Sequence, residues 1–384
     1  MLEPSPRRRL LQVAGLFLKL GTISIGGPTA HIALMEQEAV RRRGWLTHEH
    51  FLDLLAATNL VPGPNATEMA IHIGYVRAGW LGLLASGLGF ILPGFLISLA
   101  LAIGYVQGGA LPQVVALFYG IKPVVMAIIL DTLYRLGRTA LKDKRSIGLA
   151  VACLAAALLG LNDVWVLLAA GVAGLALYMG ASRLKLAALL GGVQPAWGAL
   201  PQLSGWLDHR LTQLGLYFLK VGSLMFGSGM VLFAFVQRDV VGGYGWLTQH
   251  QLLDAIAIGQ MTPGPVLSAV TVIGYLVAGV PGSIVATAAV FFPSFVIIAL
   301  IGPFIPRLRK SSIAQAFLRG VNAAVVALIL STSLVLFRSA VIDVWTGLIM
   351  LGSLGVLRGL KINATWLVLA GGTIGLAHYL LRGG

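Results

Sequence analysis

Charge is the scarcest thing in this sequence. Only 10% of its 384 residues are Asp, Glu, Lys or Arg, against about 25% in soluble domains. Acidic residues are rarer still, 13 against 27 Lys and Arg. Cysteine occurs once, as Cys153 in an apolar stretch, which excludes a disulfide framework and a thiolate metal site. No apolar–polar alternation of the kind a membrane barrel needs is present, so any membrane-spanning part must be helical. Also missing are a GxxxxGK[ST] phosphate loop, HExxH, CxxC and a Gly-x-Ser-x-Gly elbow. ATP-driven transport and the common hydrolase and metalloenzyme classes therefore have no support here, and no enzyme and no cofactor is expected.

What remains is 58% hydrophobic, with a mean hydropathy of +0.90. Long apolar runs cover Trp80–Val106, Val114–Leu133, Ile147–Leu161, Val164–Gly180, Gly282–Ile301, Ile313–Phe337, Val341–Leu357 and Ala364–Leu381. Several reach the roughly 20 residues that span a bilayer as helix. The fold class read from this is an all-α polytopic membrane protein. The N-terminus, MLEPSPRRRLLQVAGLFLKLG, puts basic residues before an apolar run. No small-residue cleavage site precedes the break at Gly26-Gly27-Pro28, so the run reads as a retained membrane segment. The net charge of +14 sits in short clusters between spans, a membrane-topology pattern rather than a nucleic-acid surface.

The chain repeats itself. FLKLGTISIGG at Phe17–Gly27 matches FLKVGSLMFGS at Phe218–Ser228, GWLT at Gly44 matches GWLT at Gly245, Asp53 matches Asp254, and Pro62-Gly63-Pro64 matches Pro263-Gly264-Pro265. All keep a spacing of 201 residues. After one deletion the register continues at 200 through Ile73–Tyr75 with Ile273–Tyr275, Pro93 with Pro293, and Gly120 with Gly320. Two homologous halves follow, 1–190 and 208–384, joined by the less hydrophobic linker 191–207. In the first half Arg7–Arg9, Arg41–Arg43 and the Arg135–Arg145 cluster mark cytoplasmic ends. Gln107–Gln113 is uncharged, whereas its counterpart Ile305–Ser312 carries Arg307, Arg309 and Lys310. Equivalent loops then face opposite sides, which predicts inverted-topology repeats. Inversion requires an odd number of crossings per repeat, and the apolar runs do not supply it, so Leu186–Leu203 becomes the candidate for a further crossing.

Each half breaks its backbone twice. Leu11–Ile25 and Thr29–Arg43 meet at Gly26-Gly27-Pro28, and Glu49–Val61 and Asn65–Ala78 meet at Pro62-Gly63-Pro64. Segments of about 13 residues make about 20 Å of helix, too short to cross, so both pairs read as re-entrant hairpins. A half-helix start inside a membrane offers unpaired N–H groups and a positive dipole end. Proline suits the first turn, and glycine lets a ligand approach. These features predict an anion site, with Gly26, Gly27, Pro28, Pro62, Gly63, Pro64 and Asn65 in the first half and Gly227, Pro263, Gly264 and Pro265 in the second. The plainer alternative is helix kinking for packing.

Ionisable residues inside spans are costly and tend to be functional. Lys19 and its copy Lys220 are candidates to bind an anion, with snorkelling to the interface as the alternative. Glu68 and His72, at i and i+4 behind the first Pro-Gly-Pro, are candidates for proton coupling, with a local structural pair as the alternative. They have no charged copy in the second half. Glu36, Glu38 and Asp239 read as interfacial ion pairs, Trp45 and Trp246 as interface anchors. Lys122 and Asp131 share one long helix, where either could line a path. No metal site is predicted.

Taken together, FLKLGTISIGGPTAHIALMEQEAVRRRGWLT, NLVPGPNATEMAIHIGY and AGWLGLLASGLGFILPGF in the first half, with FLKVGSLMFGSGMVLF, GWLT and GQMTPGPVLSAVTVIGY in the second, resemble the chromate ion transporter family in its two-domain long-chain form. The resemblance covers nearly the whole chain. It implies secondary active export of chromate, driven by a proton gradient or the membrane potential, in the cytoplasmic membrane of a prokaryote, and chromate resistance as the effect. The partners implied are chromate or a related oxyanion and the lipid bilayer, with no nucleic acid; a homodimer is a further candidate. Rival readings are a carrier of sulfate or another oxyanion, a passive anion channel, and a membrane-embedded enzyme. The second half lacks the proline of its first break and any copy of Asn65, Glu68 and His72, which suggests a scaffold and counter-gate there.

Overall fold

The computed structural model describes residues 5–24, 26–58, 61–109, 111–179, 209–226, 229–301, 311–360 and 362–382. The described part is helical, with α1 Pro6–Ile23, α2 Pro28–Glu36, α3 His48–Thr58, α4 Asn65–Gly108, α5 Pro112–Ala140, α6 Lys144–Leu158 and α7 Asp163–Met179 in the first half. The second half has α8 His209–Leu224, α9 Val231–Phe235, α10 Gln249–Met261, α11 Ala269–Ile301, α12 Ser312–Ala340, α13 Val344–Gly359 and α14 Ala364–Leu381. Among the described residues, five stretches are long and apolar enough to cross a membrane: α4, α5, Val266–Leu300, α12 and α14.

The repeated motifs are local folding instructions. In GWLT the glycines Gly44 and Gly245 take φ of +59° and +62°, which only glycine adopts readily. The leucines Leu46 and Leu247 are buried. The threonines cap the next helix: Thr47 Oγ1 accepts from the His50 N–H, and Thr248 Oγ1 from the Gln251 N–H, each at 3.2 Å. This side-chain cap supplies a partner that the first turn of a helix lacks. α2 and α9 both widen into a π-helical turn, at Gln37–Arg42 and Val236–Gly243.

α4 and α11 are each two helices. At Ala78-Gly79 and Ala278-Gly279 the backbone leaves helical geometry, with Gly79 and Gly279 at φ +63° and +62°. The chain doubles back so tightly that a Cβ on Gly74 or Gly82, or on Gly274 or Gly282, would run into the backbone of the other. The arms Asn65–Arg77 and Trp80–Gly108 therefore lie side by side. α1 packs on the second arm of α4, and α8 on α11.

The halves interlock. α5 packs on α13 and α14 of the second half, while α12 packs on α6 and α7 of the first. At the crossings Gly120 sits against Gly371 and Gly375, and Gly320 against Ala170 and Gly174, with no room for a Cβ. Such small-residue spacing lets backbones touch in lipid, where dispersion replaces the hydrophobic effect. Asp143 and Ser146 form a capping box before α6, and Asp343 and Thr346 form the same box before α13. This aligns α6 with α13 and α7 with α14, so Asn162–Trp165 answers to Asn363–Trp366.

The repeats are inverted. Tyr119, near the start of α5, donates to Asp343, just beyond the end of α12. Tyr178, which donates to Asp143 just beyond the end of α5, lies under Arg319, near the start of α12. α5 and α12 therefore run antiparallel. One end of the molecule gathers Arg77, which reaches Gln12 of α1 and the Trp45 ring, together with the end of α5. It is called the basic end below. α7 finishes there, beside Asp143, whereas α8 begins at the far end. The connection between them, including the proposed crossing at Leu186–Leu203 and the linker 191–207, lies outside the described residues. So do Arg307, Arg309 and Lys310.

Candidate functional site

The described parts of the breaks converge at the centre. α1 stops at Ile23 and α8 at Leu224, and the last carbonyls of a helix have no partner within it. The Pro-Gly-Pro tip of the opposite half supplies one. Gly63 donates its N–H to the Met225 carbonyl at 2.7 Å, and Gly264 donates to the Ser24 carbonyl at 3.0 Å. The exchange is reciprocal, because Ser24 and Met225 are equivalent positions. Each tip is also set against the other half: Gly94 leaves no room for a Cβ beside the Pro263 carbonyl, and a Cβ at Gly63 would strike Ser294 and Glu68. Non-helical backbone is thus satisfied by protein rather than by water, as membrane depth requires.

Beside this crossing lies a cavity of about 900 Å³. Gly26, Gly27 and Pro28 line it at the start of α2, with Pro64, Asn65 and Ala66 at the start of α4; Gly229, Met230, Pro265 and Val266 line it from the second half. Neither α2 nor α4 has a side-chain cap at its start, where Gly27 and Pro64 stand. Gln260 and His31 complete the inner wall. Gln260 Nε2 and His31 Nδ1 are buried and have no hydrogen-bond partner among the described residues. His31 Nε2 faces the Ser24 carbonyl at 3.2 Å, so that nitrogen carries the proton. Toward the basic end the wall is α5 with Asp131, Tyr134 and Arg135, and the end of α13 with Arg358.

The sequence-predicted residues divide. Gly26, Gly27, Pro28, Pro64, Asn65 and Pro265 line the cavity. Pro62, Gly63, Pro263 and Gly264 form the tips behind it, with the two glycine amides already bonded. Gly227 lies outside the described residues. Lys19 and Lys220 stand away from the cavity, each held by the carboxylate 19 residues on: Lys19 Nζ is 3.5 Å from Glu38 Oε1, and Lys220 Nζ is 3.0 Å from Asp239 Oδ2. Glu68 and His72 lie beneath the first tip, fully or nearly fully buried. Both Glu68 oxygens and His72 Nε2 have no hydrogen-bond partner among the described residues.

Sequence reasoning passed over Arg135, Arg358, Gln260 and His31. Arg135 belonged to a cluster that marked topology, and Arg358 closes a short apolar helix in the other half. His31 had a legible signal: it stands one turn after Pro28, on the half-helix that opens at the break.

The family model described as "Chromate transporter" matches residues 11–175 and again 212–376. The chain belongs to the chromate transporter family. Among curated relatives, the "Chromate transport protein" of Cupriavidus metallidurans is 34% identical over 98% of this chain and 95% of its own length. The "Probable chromate transport protein" of Synechococcus elongatus is 33% identical over 91% of this chain and 90% of its own. The "Chromate transport protein" of Pseudomonas aeruginosa is 34% identical, covering 84% and 80%. No solved structure matches the chain. The double match of the family model fits the two interlocked halves, and these relatives cover nearly the same span of sequence.

Proposed function

We propose that this chain exports chromate across the cytoplasmic membrane of a prokaryote, as a secondary active transporter driven by the membrane potential or a proton gradient, and that chromate resistance is the result. The observation that carries this reading is the cavity between the halves, with two uncapped helix starts at its inner wall and Arg135 and Arg358 at its mouth. By the bias of Lys and Arg, the basic end is cytoplasmic, so the cavity opens to the cytoplasm. A dianion entering there meets two guanidinium groups, then N–H groups and positive dipole ends. Export of a dianion from a negative interior gains about 4.6 kcal/mol per 100 mV.

The far end supports a carrier over an open pore. There Asp163 is buried and ion-paired to Arg238 at 2.7 Å, and Arg238 also donates to the Gly160 carbonyl. Asp254, also buried, takes Lys122 at 3.1 Å and the Tyr105 hydroxyl at 2.7 Å. We assign these pairs to the outer gate. Lys19 and Lys220 hold the two break hairpins through Glu38 and Asp239. To Glu68 and His72, sealed against the tip where the halves exchange hydrogen bonds, we assign the coupling of proton occupancy to that crossing. Glu68→Gln is expected to flatten the pH dependence of chromate transport while leaving the amount of protein unchanged; an unaltered pH profile removes Glu68 from coupling.

The direct test is chromate uptake into inverted membrane vesicles, with and without energisation and with excess sulfate. Energised, chromate-selective uptake supports the proposal, and none in either state overturns it. A second reading rests on the same donors. Guanidinium groups and helix starts recognise charge and tetrahedral shape, which chromate shares with sulfate. Equal suppression by sulfate would make this a general oxyanion carrier.

A further inference from the structure

Asp131 is a carboxylate inside a site built for anions. It lies in the last third of α5, 6% exposed, and lines the cavity mouth. Its Oδ2 is 2.7 Å from Arg135 Nη2, and its Oδ1 is 3.9 Å from Arg358 Nε. Arg358 is in turn stacked over the Tyr134 ring at 4.2 Å. The guanidinium-bearing side chains are themselves open, 61% exposed for Arg135 and 46% for Arg358. One buried carboxylate from the first half thus faces two reachable cations, one from each half. The equivalent position in the second half is Ser331, and Arg135 answers to Val335, so the arrangement exists once.

We infer that Asp131 is a resident counter-anion, which occupies Arg135 and Arg358 when the cavity is empty and yields them to the transported oxyanion. This deepens the reading of the cavity given above and rests on it. Two bare guanidinium groups beside helix starts would bind a dianion strongly and release it slowly. A carboxylate on the same cations competes with every anion that enters. It lowers affinity, keeps weak monoanions from filling the site, and retakes the arginines as the dianion leaves. Competition of this kind is selectivity by an added unfavourable term. The same carboxylate repels a dianion held nearby.

The test uses the full chain in lipid nanodiscs, with sulfate and chromate as dianions and perchlorate as a tetrahedral monoanion. Asp131→Asn is expected to bind sulfate and chromate about tenfold more tightly, on a Coulomb estimate for one charge at this separation. It should make perchlorate a measurable ligand, and lower KM and kcat for chromate together. Asp131→Glu should keep the weak affinity. Asp131→Ser, the residue of the second half, serves as a second neutral variant if the asparagine one does not fold. If the neutral variants bind the dianions unchanged or more weakly, Asp131 only positions the arginines and the inference is overturned. If the unsubstituted protein binds none of the anions and Arg135→Gln changes nothing, the cavity reading itself fails.

Discussion

The two ends of this molecule are built from the same fold and differ in which charges they carry. At the far end the buried Asp163 pairs with the half-buried Arg238, and the buried Asp254 pairs with Lys122 nearby. At the basic end the positions equivalent to Arg238 and Asp163 are Gln37 and Ala364, and Lys122 answers to Asn322. Asp53, the copy of Asp254, is exposed. The basic end instead carries Asp131 with Arg135 and Arg358 around an open cavity. Inverted repeats give each end the same architecture, so a few substituted positions are enough to close one and leave the other open. On the transport reading proposed above, the difference teaches that direction lives in side chains, whereas the pathway lives in the duplicated backbone.

Removing one partner from the closed end should have the largest effect. Asp163→Ala leaves the half-buried Arg238 without its carboxylate, though still bonded to the Gly160 carbonyl, and should cost about 2 kcal/mol, the scale of a hydrogen bond between charged groups. Thermal unfolding of the single variant and of the double variant with Arg238→Ala measures this. The double variant should recover part of the loss. Next in size, Arg135→Gln or Arg358→Gln should reduce chromate transport about tenfold, the scale of one lost charge-assisted contact. Protein level should stay unchanged, and vesicle flux reads the result. The comparison is sharpened by transplanting the closed end's charges to the open one. Gln37→Arg with Ala364→Asp should add an ion pair beside the cavity, lower transport, and change stability by no more than about 1 kcal/mol. Either single substitution should slow transport less than the pair.

Much of this was readable in the sequence because repetition at 201 residues marks what the fold needs twice. GWLT marked the same position in each half, where the structure then shows a left-handed glycine and a capping threonine, and Pro-Gly-Pro announced a break. The inversion was legible from Ile305–Ser312 against Gln107–Gln113; residues 305–310 lie outside the described residues, and in the structure the contacts of Tyr119, Tyr178 and Arg319 carry it. Three things were not legible. The exchange of Gly63 and Gly264 amides with Met225 and Ser24 joins residues far apart in sequence, and no local pattern specifies it. The partners of Lys19 and Lys220 lie 19 residues on, beyond a helix break, so spacing on one helix could not pair them. Arg135 was read as a topology mark because the positive-inside rule counts charges near a membrane surface and is blind to whether they face a cavity, and Arg358, a single charge closing a short apolar helix in the other half, carried no pattern that tied it to Arg135.

The proposed transport path needs a cavity that opens at the basic end and is shut at the far end. Thr29→Cys places a thiol on the cavity wall at the start of α2, and Cys153→Ala removes the one native thiol. Labelling with a membrane-impermeant maleimide, in right-side-out and in inverted vesicles, compares access from the two faces. The expected result is rapid labelling in inverted vesicles, slowed by chromate, and little labelling in right-side-out vesicles until Asp163→Ala opens the far end. Equal labelling from both faces, or labelling only from outside, would contradict it.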